Sequence, residues 1–110
     1  MERIKVILVD DHQIVRDGIK ALINEEPNIN IITEASSGVD LFDKLNTYKP
    51  DVILMDINLP DTNGIEITRQ LKETKPEIKV LILSMHMGED YIVNAIEAGA
   101  KGYLPKTTSK

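Results

Sequence analysis

The sequence predicts a doubly wound α/β domain, a parallel sheet with helices on both faces. Three observations predict it. The runs IKVILV at 4–9, DVILMD at 51–56 and KVLILS at 79–84 are of strand length and apolar through their centres, as strands covered on both faces should be. Between these runs, apolar residues recur at helical spacing instead. Strand and helix alternate along the chain, and such βα crossovers imply parallel pairing.

The first strand, 4–9, gives way across Asp10 to Gln13 to a helix marked by Ile14, Val15, Ile19, Leu22 and Ile23. Asn30 to Thr33 reads as a short strand. Val39, Leu41, Phe42 and Leu45 form the apolar side of a second helix, which Lys49-Pro50 terminates because a proline pushes its predecessor out of the helical region. After the strand at 51–56, NLPDTNG has the composition of a loop, and a third helix runs through Ile65, Ile67 and Leu71 until Pro76. The strand at 79–84 precedes a helix from Tyr91 to Ala98, stopped by Gly99, and GYLP at 102–105 is the last strand. A fifth strand calls for a fifth helix to cover its apolar surface, yet only KTTSK follows it, so that helix is expected to be missing from this chain.

A chain of 110 residues fits one domain, 1–110, and a hydrophobic content of 42% supports a core. The absence of cysteine excludes disulfides and thiolate metal sites, leaving carboxylates, carbonyls and two histidines as possible ligands. The opening MERIKVILVDD is not a signal peptide, and no run approaches the roughly 18 apolar residues of a membrane span. A cytoplasmic location and no membrane contact are therefore expected. The net charge of −5 disfavours nucleic-acid binding by this chain through a basic face. No internal repeat and no phosphate-cradling GxxxxGK[ST] loop is present.

In an open parallel sheet, ligands bind beyond the carboxyl ends of the strands. That rule brings together Asp10 and Asp11 from the first strand, Asp56 from the third, Ser84 from the fourth and Lys106 after the fifth. Converging carboxylates repel one another unless a cation sits among them. Mg²⁺ suits such oxygen ligands because it accepts few protein groups and keeps waters or phosphate oxygens, and Mn²⁺ is an alternative. A phosphoryl group between metal, hydroxyl and ammonium has its charge met on every side, with Asp56 as the nucleophile. Taken singly, each residue has a plainer reading: helix caps for the acids, a turn cap for Ser84, plain surface for Lys106. Joint placement at one sheet edge reverses that judgement. His12 reads as solvent-facing or helix-capping, and His86 as a loop residue at the pocket mouth. Tyr103 either packs inward or faces solvent, and Met85 and Met87 read as packing residues.

The segments VDDHQIVRDGI at 9–19, PDVILMDINLPDTNGIE at 50–66, LILSMH at 81–86 and AGAKGYLPKT at 98–107 resemble the receiver domain of bacterial two-component response regulators, from Ile4 to Thr108. The resemblance implies a flavodoxin-like (CheY-like) fold, with a five-stranded parallel sheet of order 2-1-3-4-5. It makes Asp56 the phosphoacceptor, Asp11 a direct Mg²⁺ ligand, Asp10 a second acid acting through water, and the Asn58 carbonyl a further ligand. Ser84 matches the hydroxyl that meets the phosphoryl group, Tyr103 the aromatic switch, and Lys106 the phosphate-binding lysine. Pro60 and Gly64 match the loop after the phosphorylated strand. Asn58 and His86 flank the path of the hydrolytic water and are expected to tune signal lifetime.

A sensor histidine kinase is the implied donor, and a homodimer through the face around residues 87–105 is a further implied contact. The wording DDHQIVRDGI and GAKGYLPKTTS is most similar to the subfamily whose receivers precede a helix-turn-helix output domain of the LuxR/NarL type, so DNA contact and transcriptional control are expected only through a module beyond residue 110. Pro105 departs from the family pattern and is expected to alter the last strand pairing or the reach of Lys106. The alternatives are a phosphate-independent module of the same fold and a small phosphomonoester hydrolase. The hydrolase wants a second acid two residues after the nucleophile, where this chain has Asn58. A free-standing enzyme is not expected; the domain promotes its own phosphorylation and dephosphorylation.

Overall fold

The computed structural model describes residues 4–23, 27–56, 59–84, 99 and 102–105, the side chains of Ser84 and of 102–105 excepted. The elements are β1 (Ile4–Val9), α1 (Gln13–Ile23), β2 (Ile29–Ala35), α2 (Gly38–Lys44), β3 (Val52–Asp56), α3 (Gly64–Thr74), β4 (Lys79–Ser84) and β5 (Gly102–Pro105). All strand pairs are parallel, and the sheet order is β2-β1-β3-β4-β5. The doubly wound fold and its strand order are thus as expected. The helix expected at 91–98, Met85 and Met87 lie outside the described residues. Gly99 itself has φ 115°, a left-handed conformation that favours glycine.

Side chains alternate across the pleat, so each uninterrupted apolar run feeds two cores. Ile7, Val9, Ile53, Met55, Val80 and Ile82 point to one face, where Leu41 and Leu45 of the α2 segment and Ile65, Ile67 and Leu71 of α3 close over them. Val6, Leu8, Leu54 and Leu83 point to the other, against Ile19 and Ile23 of α1.

Several boundaries differ from the expectation. Strand β2 extends to Ala35 because it pairs with β1 along its length, through a register shift between Val6 and Ile7. Strand β3 starts at Val52, one residue late; Asp51 just before it still donates its N–H to the Lys5 carbonyl (2.8 Å), and its carboxylate accepts from Lys5 N–H (2.9 Å). Helix α2 ends at Lys44, well before Lys49-Pro50. Asn46 N–H reaches back only to the Asp43 carbonyl and Thr47 N–H to that of Lys44, so the chain tightens and turns away before the proline acts.

The helical faces also differ in detail. Val39 is 72% exposed, because the inward stripe of α2 starts at Gly38 and continues through Leu41, Phe42 and Leu45. In α1 the inward stripe is Val15, Ile19 and Ile23, which leaves Ile14 (85%) and Leu22 (73%) exposed one position to its side. Of the two effects expected of Pro105, the pairing is unaltered, with Ser84 opposite Pro105 on an edge strand, where a missing donor is tolerated, and Lys106 lies outside the described residues.

Candidate functional site

The register of the central strands assembles the site. Val9 lies opposite Met55, so the next step along each chain sets Asp10 beside Asp56, at the carboxyl edge where β1 and β3 diverge in topology. Asp10 is fully buried, and its N–H donates to the Ala35 carbonyl (3.0 Å), which extends the β1–β2 pairing by one bond. Asp56 ends β3 and is also buried. Asp11 and His12 follow in the turn that enters α1.

Asp10, Asp11, His12 and Asp56 each present one ligand atom within 4.8 Å of the others. The donors include three carboxylates, a set that fits a hard divalent cation, and two of the three carboxylates are buried. The structure therefore brings Asp10, Asp11 and Asp56 together as expected. His12, expected to be solvent-facing or helix-capping, also lies against these acids. Its Nδ1 lies 3.2 Å from Asp10 Oδ1 and 3.0 Å from Asp11 Oδ1, and its N–H donates to Asp10 Oδ1 (2.9 Å). Its ring is nonetheless 64% exposed, and its carbonyl accepts the Arg16 N–H at the start of α1, so the helix-capping role holds as well. The signal is adjacency: a turn that places Asp10 and Asp11 at the edge carries the next residue with it.

The main chain of Ser84 ends β4 one register step beyond the Asp56–Leu83 pair, and Tyr103 sits in β5 opposite Ile82. Asn58, His86 and Lys106 lie outside the described residues.

Polar groups not singled out in the sequence support this edge. Arg16 donates from Nη1 to the Asp10 carbonyl (2.5 Å) and from Nε to Glu34 Oε1 (2.9 Å). Lys20 Nζ meets Glu34 Oε2 at 2.6 Å. That bond holds the Glu34 carboxyl below its ordinary value, with Arg16 adding to the effect, and it raises Lys20 in turn. On the other side, the Asp61 carboxylate accepts N–H bonds from Gly38 and Val39, both 2.9 Å, and these two bonds depress its pKa. The loop after β3 is thereby tied to the start of α2. Glu34 is detectable as the one acid in the apolar run INIITEA, but its partners lie in another element.

The model of the response regulator receiver domain matches residues 6–110. Among curated relatives, the transcriptional regulatory protein DegU of Brevibacillus brevis is 41% identical over 94% of this chain and 44% of its own length. The response regulator protein VraR of Staphylococcus saprophyticus is 40% identical over 96% of this chain and 51% of its own. The chain thus spans about half the length of these relatives. A solved two-component response regulator of the LuxR family from an Aurantimonas species superposes with a TM-score of 0.91 at 35% identity, covering 98% of this chain and 77% of that one. The signal receiver domain of NarL from Mycobacterium tuberculosis gives 0.92 at 26% identity, covering 99% and 88%. With its sheet order, its acidic edge and these likenesses in agreement, the chain belongs to the response-regulator receiver domains and is related to the LuxR/NarL-type regulators.

Proposed function

We propose that this receiver takes a phosphoryl group onto Asp56 from the phosphohistidine of a sensor kinase, in a reaction that requires Mg²⁺ or Mn²⁺. The observation that carries the reading is the convergence of Asp10, Asp11 and Asp56 within 4.8 Å from strand ends far apart in sequence. An Asp56 carboxylate oxygen attacks phosphorus in line; the new P–O bond forms as the donor's P–N bond breaks, and the released imidazole takes up a proton. A divalent cation supplies charge neutralisation for the phosphoryl oxygens. Asp11, Asp10 and Asp56 are the side chains to hold it, with the Asn58 carbonyl assigned by resemblance. Ser84 and Lys106 are assigned to the remaining phosphoryl oxygens and Tyr103 to the relay of the phosphorylated state, again by resemblance. Hydrolysis of the acyl phosphate by water restores the carboxylate, and Asn58 and His86 are the residues assigned to its rate. The domain promotes both steps on itself and is not a free-standing enzyme.

The longer proteins DegU and VraR support a reading in which this receiver governs an output module beyond residue 110. DNA contact and transcriptional control belong to that module, homodimerisation to the face around 87–105, and the whole protein to the cytoplasm. Among the described residues no helix is long and apolar enough to cross a membrane.

The test is intact-protein mass after incubation with acetyl phosphate, with and without Mg²⁺, on this chain and on Asp56→Asn. Addition of one phosphoryl group that needs both the cation and Asp56 is expected. A folded, Mg²⁺-binding sample that gains no mass would favour the phosphate-independent module.

A further inference from the structure

We propose that Arg16 is a positioning residue for the cation site: its guanidinium clamps the Asp10 carbonyl to Glu34, and this fixes the peptide that carries the Asp10 and Asp11 carboxylates. The inference rests on the reading of the acidic edge as a cation site.

The geometry is specific to an arginine. Asp10 has left the β-ladder: its N–H still pairs with Ala35, but β1 ends at Val9 and the chain then turns into α1. The Asp10 carbonyl therefore lies beyond the regular strand pairing, and whatever holds the peptide between Asp10 and Asp11 there sets where the two side chains point. Arg16 does so from one turn into α1, with Nη1 on that carbonyl at 2.5 Å and Nε on Glu34 Oε1 at 2.9 Å. The side chain is only 14% exposed, so the planar fork is held on both sides. Glu34 is itself braced from both faces of the sheet. Lys20 of α1 bonds its carboxylate at 2.6 Å, and Lys44 of α2 donates to its main-chain carbonyl at 2.7 Å. Strand β2, both neighbouring helices and the acidic edge are thus joined through two residues, Arg16 and Glu34.

Charge and position make opposite predictions. By Coulomb's law alone, removing a guanidinium near a divalent-cation site strengthens cation binding, and exchanging it for lysine changes nothing. If Arg16 acts by position, both substitutions weaken binding, because lysine keeps the charge but lacks the fork that spans two acceptors. Residues that orient ligands without touching the ion typically contribute about 10- to 100-fold in affinity.

The experiment measures Mn²⁺ binding by the loss of free-ion paramagnetic resonance signal, with Mg²⁺ as competitor, on the unaltered chain, Arg16→Ala, Arg16→Lys and Lys20→Ala. Urea unfolding of each reports stability separately. Expected is a weakening of about 10-fold or more for both Arg16 variants. Lys20→Ala, which also strips Glu34 of a cation but leaves the Asp10 carbonyl held, weakens binding less than either Arg16 variant. With acetyl phosphate and Mg²⁺, the half-saturating Mg²⁺ concentration rises in the Arg16 variants while the rate at saturating cation is retained. Unchanged or tighter binding in Arg16→Lys overturns the proposal, and so does an equal loss of affinity in Lys20→Ala, which would mark a general loosening of α1. Should Arg16→Ala not fold, Arg16→Lys decides alone. If the unaltered chain binds no Mn²⁺, the cation-site reading itself fails and the inference falls with it, a result distinct from binding that ignores Arg16.

Discussion

At Gly64 a Cβ would overlap the main-chain oxygen of Asp56 and come within 2.9 Å of Met55 Cγ, so the first turn of α3 lies directly on the peptide of the proposed phosphoacceptor. Neither obstacle can rotate away, since one is backbone and the other belongs to a fully buried methionine. Gly64→Ala is expected to cost about 1–3 kcal/mol in urea unfolding, the range for overpacked interiors, and to slow phosphorylation by displacing Asp56. Gly18 provides the contrast: it lies in α1, and a methyl group added there would meet nothing within 4 Å, so Gly18→Ala is expected to stabilise by up to about 1 kcal/mol through helix propensity. The same measurement on both variants checks the pair, and equal shifts would count against the steric account. Resemblance marks Gly64 as a turn-shaping residue, but the reason for glycine there is the approach of a helix to a strand end, which no local pattern encodes. For Asp10, Asp11 and Asp56 the sequence is sufficient, because the strand ends can be counted and the edge rule does the rest. His12 is better read from its position beside two acids than from its own chemistry.

Among the elements, β1, β4 and β5 are legible to the residue, because apolar runs bounded by charge or glycine coincide with what the sheet buries on both faces. Helix α2 is not, because its limits are set by contacts outside it. Ser37 Oγ accepts the Asp40 N–H at 3.0 Å as a local cap, yet the Gly38 and Val39 N–H groups go to Asp61, more than twenty residues away. A helix of seven residues is too short to persist alone, so it depends on such ties. The tie has a pH signature. Asp61 and Glu34 both titrate below their ordinary values of 3.8 and 4.5, so on acidification the unfolded chain takes up protons first. Their contribution to stability is therefore complete above the ordinary values and lost as the pH falls through the depressed ones. The urea midpoint is expected to fall progressively as the pH drops below the ordinary values, and Asp61→Asn, which cannot ionise, is expected to flatten part of that fall. An identical profile in the variant would mean that the carboxylate charge contributes nothing through this tie.

Over the whole molecule, the sheet separates packing from chemistry. Its two faces hold the apolar cores, and its carboxyl edge holds acids that the register of β1 and β3 forces together. Folding therefore confines negative charge at the edge, where Asp10 and Asp56 are both buried, and the unfolded chain is free of that repulsion. A divalent cation that binds the folded edge reverses the balance. Mg²⁺ is expected to raise the urea midpoint, by about 2.7 kcal/mol in unfolding free energy at one hundred times its dissociation constant, and chelation is expected to restore the original value. Asp56→Asn removes one of the confined charges. It should be more stable than the parent chain without cation and gain less when Mg²⁺ is added, so the two denaturation curves approach each other as the cation is titrated in. Parallel curves, displaced equally at every Mg²⁺ concentration, would show that Asp56 takes no part in holding the ion and would return it to the role of a buried strand-end carboxylate.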